Sequence, residues 1–596
     1  MGADQAWFAN KCSLMTQCAN LNSANQAIVN NGATIIGWLR GHQQYANNVI
    51  LRAYTPPGET EVEPDQPAQP VVLGDIASSK PAYLRGARKS YVAAGYDAYK
   101  AAQAGRKPTV FIAANDGMLH AFDAIKGTEM WAYMPRITMK KLYRQASVGY
   151  ATEHQFTVDG SPELADVQIN GAWRTILVAG LNAGGRGYYA IDVTDPDAPA
   201  PLWEICADAS VCSGALHQPE MGFTFGNPQF GTIKDGTDAQ GNDKVRWVTF
   251  LTSGYNNIPG ADDVAGGSGK GILFVVDVAT GQQVLNLGES DITHGSTGLL
   301  TTGSGGVGSG TGVADPSGLA KITAITANPN TDPLVTYLYG GDNFGQMWRF
   351  DFTGTKVARV RMGSAGAGQP ITSRPDVAMC QVDTTAEGAD ASPTRRVVAF
   401  GTGRMLDYTD IKDVSEQSVY VLADSGEPVS DGKWRSADTF SERQFTETVP
   451  YNAATPTVPR SNRFKIGGAG VDLGEKAGWF VDFDKNSGER VNLDPKIVSG
   501  TLSVVTNLPQ SATACNVGGS SYAYHLDVCT GKAVAGDIAG SLLSGDAAAV
   551  GFIIVRLPSG ALKMVTTTAK GDTITTEVTS ATSQDARRTG WRRVRD

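Results

Sequence analysis

Between Val110 and Tyr133 the chain runs in short apolar stretches separated by turn signals. Val110-Phe111-Ile112-Ala113-Ala114 reads as a buried strand. Asn115-Asp116-Gly117 reads as a tight turn, because Asn and Gly accept positive φ at low cost. Residues 118–122 form the returning strand, 123–127 turn again, and 129–133 make a third strand containing Trp131. The whole is a β-meander about one propeller blade in size.

The ending of that unit, an apolar run closing on Asp with Gly shortly after, recurs along the chain. It closes on Asp192, on Asp277 before Gly281, on Asp351 before Gly354, and on Asp424 before Gly426. Asp482 and Asp527, the latter before Gly531, complete the series. Repetition of this kind predicts an all-β fold, a β-propeller of about seven blades whose two ends meet to close the ring. The spacing between successive Asp residues runs from 45 (527 minus 482) to 85 (277 minus 192). A bare blade needs roughly 40–45 residues, so the excess predicts long insertion loops. These are the polar or Gly-rich stretches 256–270, 288–318, 384–394 and 425–459.

The repeated Asp residues are expected to cap their own turns through backbone N–H groups, not to catalyse. Trp131, Trp203 and Trp348 are expected to pack between blades. Upstream the pattern changes. Residues 3–41 are rich in Ala, Asn and Gln, and Ile28, Ile35, Ile36 and Leu39 fall at helical spacing, which predicts one or two short helices. Pro56-Pro57-Gly58 and the acidic, proline-rich stretch 59–70 read as a linker. The expected division is a partly helical segment with linker over 1–70 and a propeller over 71–596.

Composition supports this picture. Hydrophobic residues make up 41% of 596, with 70 glycines, 28 prolines and only 18% charged residues, a balance of many turns and few surface helices. A net charge of −9 argues against nucleic acid and anionic lipid as partners. No apolar run reaches 18 residues, so no membrane insertion is expected. The first residues lack the features of a signal peptide, so any secretion signal is expected upstream.

Seven cysteines suggest local disulfides Cys12–Cys18, Cys206–Cys212 and Cys515–Cys529 in an oxidising compartment, with Cys380 left over; the alternative is seven buried thiols. There is no C-x-x-C, no H-E-x-x-H and no phosphate-binding glycine motif.

Several stretches, taken in order, resemble the C-terminal domain of PilY/PilC-type type IV pilus proteins. They are Leu73-Gly74-Asp75-Ile76 with Pro81, the blade at 110–123, Val158-Asp159-Gly160-Ser161-Pro162, the glycine-rich strand at 184–196, and 222–226 with Pro228. Further on come Gln369-Pro370-Ile371-Thr372, Gly401-Thr402-Gly403-Arg404, 478–482, and the closing 588–592. The resemblance spans roughly 70–595. It implies a non-enzymatic, extracellular protein at the pilus tip or cell surface, exported through the periplasm. Such a protein promotes pilus assembly, opposes retraction, and supports adhesion to host or abiotic surfaces and twitching motility, with minor pilins as partners.

Members of that family often carry a nine-residue calcium loop before a Tyr-x-Tyr-x-Gly-Asp strand. Here the strand is 337–342, and the loop would use Asn328, Asn330, Asp332, the Leu334 carbonyl and Thr336. Calcium takes six to eight oxygens and favours carboxylates, yet this loop carries one, Asp332. Weak calcium binding or none is the expectation, with a proline-stiffened turn as its structural counterpart. A second acidic stretch, Asp482 to Glu489, is expected to be a hairpin turn. Two other functions fit a propeller. One is a quinoprotein dehydrogenase, suggested by similarity of 123–131 to its tryptophan-docking repeat; the other is an outer-membrane assembly scaffold. The absence of an adjacent Cys-Cys pair and the irregular docking pattern weigh against the first, and the ordered motifs after residue 158 against the second.

Overall fold

A computed structural model of the chain describes residues 4–54, 72–241, 243–259, 267–284, 316–354, 357–366, 368–382, 394–406, 408–427, 429, 434–447, 463–509 and 519–581. It also gives the backbone of 61–63, 66–67, 300–301 and 587–588. Most of the predicted linker and of the insertion loops, and Cys515, lie outside the described residues. Two compact units emerge.

The first unit covers Met1–Phe230 and Arg246–Val284, with Gly305–Pro316. It holds two four-stranded antiparallel meanders. One is built from Ala82–Leu84, Thr109–Ala114, Met118–Asp123 and Glu129–Tyr133, and the other from Glu163–Ile169, Ala172–Gly180, Gly187–Asp192 and Ala200–Cys206. The turns form where the sequence supplies residues tolerant of positive φ, as at Gly117 and at the Asn170-Gly171 pair. A further antiparallel ladder pairs residues 248–252 with 273–277. Alternate strand residues such as Phe111, Ala113, Leu177, Ala179, Tyr189 and Ile191 form the core between the two meanders.

In the same unit, helices Ser23–Val29 and Gly32–Leu39 are capped by Asn22 and Asn31, whose side chains accept from the backbone of Asn25 and Ala33. Three short 3₁₀ turns precede them. Ile35 and Leu39 are buried as the spacing predicts, whereas Val29, not Ile28, enters the core. This segment packs through Phe8, Met15, Val29, Trp38 and Leu51 against Leu142, Tyr143 and Ala146. Gln17, itself buried, donates to the carbonyls of Ile50 (3.0 Å) and Ala146 (3.3 Å) and accepts from Val148 N (3.1 Å).

The second unit covers Gly231–Val245, Leu285–Ser304 and Ser317–Asp596. Its first meander is Leu319–Asn328, Asp332–Asp342, Gln346–Asp351 and Ala358–Ser364. A second sheet joins Asp376–Gln381, Thr394–Gly401, Ser418–Asp424 and Gly478–Asp482, with Phe440–Arg443 parallel to the last. A third contains Lys496–Val498, Thr501–Pro509, Gly519–Asp527 and Ile538–Ser544, extended by Arg463–Ile466 and Phe445–Glu447. Ala549–Arg556, Leu562–Thr568 and Thr573–Val578 form a three-stranded sheet.

One expectation needs correction. Asp424 and Asp482 end neighbouring strands of one sheet, so the seven Asp endings do not each mark a sheet of their own. The sheet at 549–578 carries no such ending. Near the end of the chain, Arg587–Arg588 adds a strand antiparallel to Asp376–Gln381.

The cysteine pairing also differs in part. Cys12–Cys18 and Cys206–Cys212 form as expected, but Cys529 pairs with Cys380. Proximity in the chain misled the reading: adjacent sheets bring the Cα atoms of Cys380 and Cys529 to 5.5 Å across 149 residues.

Candidate functional site

Strand-ending Asp residues use their carboxylates on the turns that follow. Asp123 accepts from the N–H groups of Ile125 and Lys126, Asp277 from Ala279 and Thr280, and Asp527 from Cys529 and Thr530. Asp192, Asp351 and Asp424 each take one such N–H, from Thr194, Thr353 and Gly426. Asp482 departs from this pattern: it accepts from the Ser418 hydroxyl (2.5 Å) and pairs with Arg435.

The glycine of the signature serves a neighbour. Trp203 donates to the Val278 carbonyl (3.0 Å) and lies over Gly281, where a Cβ would stand 2.7 Å from the ring. Trp479 donates to the Val528 carbonyl (3.0 Å) and lies over Gly531 in the same way. Trp131 donates to the Pro196 carbonyl (2.8 Å). These three indoles dock on the next sheet. Trp348 differs in its hydrogen bond: it donates to Asp342 of its own sheet (2.8 Å).

The predicted calcium loop is a hairpin. Asn328 faces Asp332 in the ladder, and Pro329, Asn330 and Thr331 make the turn. The Asn328 side chain accepts from Asn330 N (3.1 Å) and the Asp332 carboxylate from Leu334 N (2.9 Å). Thr336 donates its hydroxyl to the Ile325 carbonyl (3.1 Å). The side chains of Asn328, Asp332 and Thr336 are thus engaged with local backbone, and Asn328, Asn330 and Asp332 are exposed. This arrangement offers calcium one carboxylate, a poor fit to its oxygen demand. Among the described residues, no three His, Cys, Asp or Glu side chains gather at one point.

The second acidic stretch turns where expected, but its last residues were not read from the sequence as buried. Glu489 is 1% exposed. It accepts from Thr506 (2.5 Å), Tyr524 (2.8 Å) and Asn486 (2.7 Å). Burial raises its carboxyl to about 6. Asp342, held by Phe344 N, Gln346 N and Trp348, is likewise raised to about 6 by burial.

Arg490, 2% exposed, reaches under the loop that follows the Gly401-Thr402-Gly403-Arg404 motif. Its guanidinium donates to the carbonyls of Gly488 (2.9 Å), Arg404 (3.0 Å), Asp410 (2.6 Å) and Asp413. Asp410 in turn accepts from Arg404 Nε and Leu406 N, both at 2.8 Å. The loop so fixed presents Leu406, Tyr408 and Val414 to solvent, Tyr408 being 68% exposed. A charged residue beside an acidic turn gave no signal in the sequence that it would serve as an internal anchor.

A model of the PilY1 β-propeller domain matches residues 73–433, more than half of the chain. The chain belongs to the PilY1 β-propeller family. Type IV pilus biogenesis factor PilY1 of Pseudomonas aeruginosa PAO1 is 31% identical over 77% of this chain and 38% of its own length. A PilY1 homolog of Xylella fastidiosa is 29% identical over 88% of this chain and 37% of its own length. The chain therefore spans well under half the length of these PilY1 relatives. The crystal structure of the P. aeruginosa PilY1 C-terminal domain superposes with a TM-score of 0.56, covering 83% of this chain and 99% of that one at 22% identity. The β-propeller expected from the repeats is the fold of the PilY1 family. Among the described residues no helix is long and apolar enough to cross a membrane.

Proposed function

We propose that this chain is the propeller of a type IV pilus biogenesis factor, acting as a non-catalytic scaffold that meets minor pilins and supports pilus extension. The carrying observation is the family match over 73–433, together with relatives named as type IV pilus biogenesis factors. The proposed place of action is outside the cell at the pilus tip, after export through the periplasm. Three disulfides accord with such an oxidising route. Adhesion to host or abiotic surfaces and twitching motility follow from the same reading. We place the boundary between the N-terminal segment and the propeller near residue 70. The 328–336 hairpin acts in this proposal as a structural turn with weak calcium affinity at most.

A pull-down of this chain with purified minor pilins, with and without calcium, tests the assembly role. Retention of at least one minor pilin is the expected result. Failure to retain any in both conditions would count against the proposal.

A further inference from the structure

The N-terminal helical segment and the helical stretch 136–146 pack together in the first unit. Residues 1–54 hold Lys11, Arg40 and Arg52 against a single acid, Asp4. Residues 136–146 hold Arg136, Lys140, Lys141 and Arg144 and no Asp or Glu. This layer carries seven cations and one carboxylate, a net +6, in a chain of net −9, so the remainder carries −15 (−9 minus 6). An asymmetry of that size points to an acidic partner.

Four of the cations are held by aromatic rings. Arg136 Cζ and Lys140 Nζ lie 5.4 and 6.0 Å from the centre of the Trp7 ring. Lys11 Nζ and Arg144 Cζ lie 5.2 and 6.0 Å from that of Tyr143. Rings so placed attract the cations and restrict their side chains, which lowers the entropy lost on binding. Arg136 and Lys140 already meet carboxylates, Asp4 at 3.1 Å and Asp208 at 2.8 Å. Among the described residues, Lys11, Lys141 and Arg144 meet none. Arg144 is exposed, and Lys11 and Lys141 are half-buried.

From Arg136 to Arg144 the helical rise is about 12 Å, the length of about four extended residues. A longer polyanion, nucleic acid or sulfated polysaccharide, would run past this patch onto a chain of its own sign; a short run of carboxylates would not. We propose that this basic layer, centred on Lys11, Lys141 and Arg144, docks a partner protein through a run of about four Asp or Glu residues. The inference rests on the scaffold reading above and adds to it the docking surface and the chemistry of the partner.

The test is thermophoresis of the labelled protein, titrated with a peptide carrying four consecutive Glu, with its Gln counterpart, and with a heparin oligosaccharide. Wild type should bind the Glu peptide with a dissociation constant on the order of 0.1–1 mM at about 50 mM salt, and should not bind the Gln peptide. Raising salt to about 300 mM should weaken binding at least about threefold. Lys11→Gln/Lys141→Gln/Arg144→Gln should weaken it at least about threefold. Removing three exposed lysines elsewhere, as Lys244→Gln/Lys532→Gln/Lys570→Gln, should weaken it less. The single reversal Lys141→Glu should also weaken binding, and it decides the matter if the first triple variant does not fold. No binding of the Glu peptide up to about 5 mM overturns the proposal, whether or not heparin binds. Undiminished binding by the first triple variant, or an equal loss in the second, overturns it too. A chain that retains a minor pilin yet ignores the peptide sinks this inference alone; one that binds the peptide at this layer yet retains no minor pilin sinks the scaffold reading alone.

Discussion

Cys380 and Cys529, 149 residues apart in the chain, are joined with their Cα atoms 5.5 Å apart. Cys380 lies in strand Asp376–Gln381 and Cys529 in the turn capped by Asp527, and both sit in one apolar core. Closing so long a loop restricts the unfolded chain strongly. Replacing both with Ser should lower stability by about 4 kcal/mol. Urea unfolding of the variant against oxidised wild type checks this. A loss below about 1 kcal/mol would show that the bond contributes little.

Gly281→Ala should destabilise the first unit by about 2 kcal/mol. Its φ of 68° disfavours a side chain, and a new methyl would meet the Trp203 ring. A thermal melt resolves the effect, and Trp203→Phe in the same background should recover part of it by freeing space.

Much of the fold was legible because the signature is local. An Asp that caps the next turn, followed by a Gly at positive φ, can be read from five or six residues. Asp123, Asp277 and Asp527 behave accordingly. Which sheet each ending belongs to depends on long-range pairing, and there the count of repeats went astray at Asp424 and Asp482. Pairing of Cys380 with Cys529 was hidden for the same reason. Trp348 resembles Trp203 in the sequence, yet its indole turns to Asp342, a choice fixed by side-chain packing and not by spacing. The 328–336 loop was legible as a turn from its prolines and its shortage of carboxylate. Glu489 and Arg490 were not, since ordinary surface residue types gave no sign of burial.

Glu489 should make stability depend on pH. Its carboxyl is raised to about 6 when folded, so its contribution is fully present below about pH 4.5 and is lost as pH rises through 6. Relative to wild type, Glu489→Gln should therefore fare better at pH 7.5 than at pH 4.5, by about 2 kcal/mol. Urea unfolding of both proteins at the two pH values measures that difference. A pH-independent gap would refute it.

Arg490→Ala leaves four carbonyl oxygens without their shared donor. The expected cost is about 3 kcal/mol, with faster tryptic cleavage after Arg404 or Lys412. Mass mapping of the first cuts, compared with wild type, tests both the anchor and its location.

Calorimetric titration should show no submicromolar calcium binding attributable to the 328–336 hairpin. Asp332→Ala should leave the isotherm unchanged, since the Asp332 carboxylate is engaged with Leu334 N. A submicromolar event abolished by that substitution would falsify the assignment of the hairpin as a turn.

Because Arg490 grips backbone carbonyls and no side chain of its loop, the tip is free to change its chemistry. Leu406, Tyr408 and Val414 could be exchanged for epitope tags or crosslinkable residues with the main-chain path unaltered. That makes the loop a natural grafting position: new recognition can be installed there by evolution or by engineering, with the support beneath it left as it is.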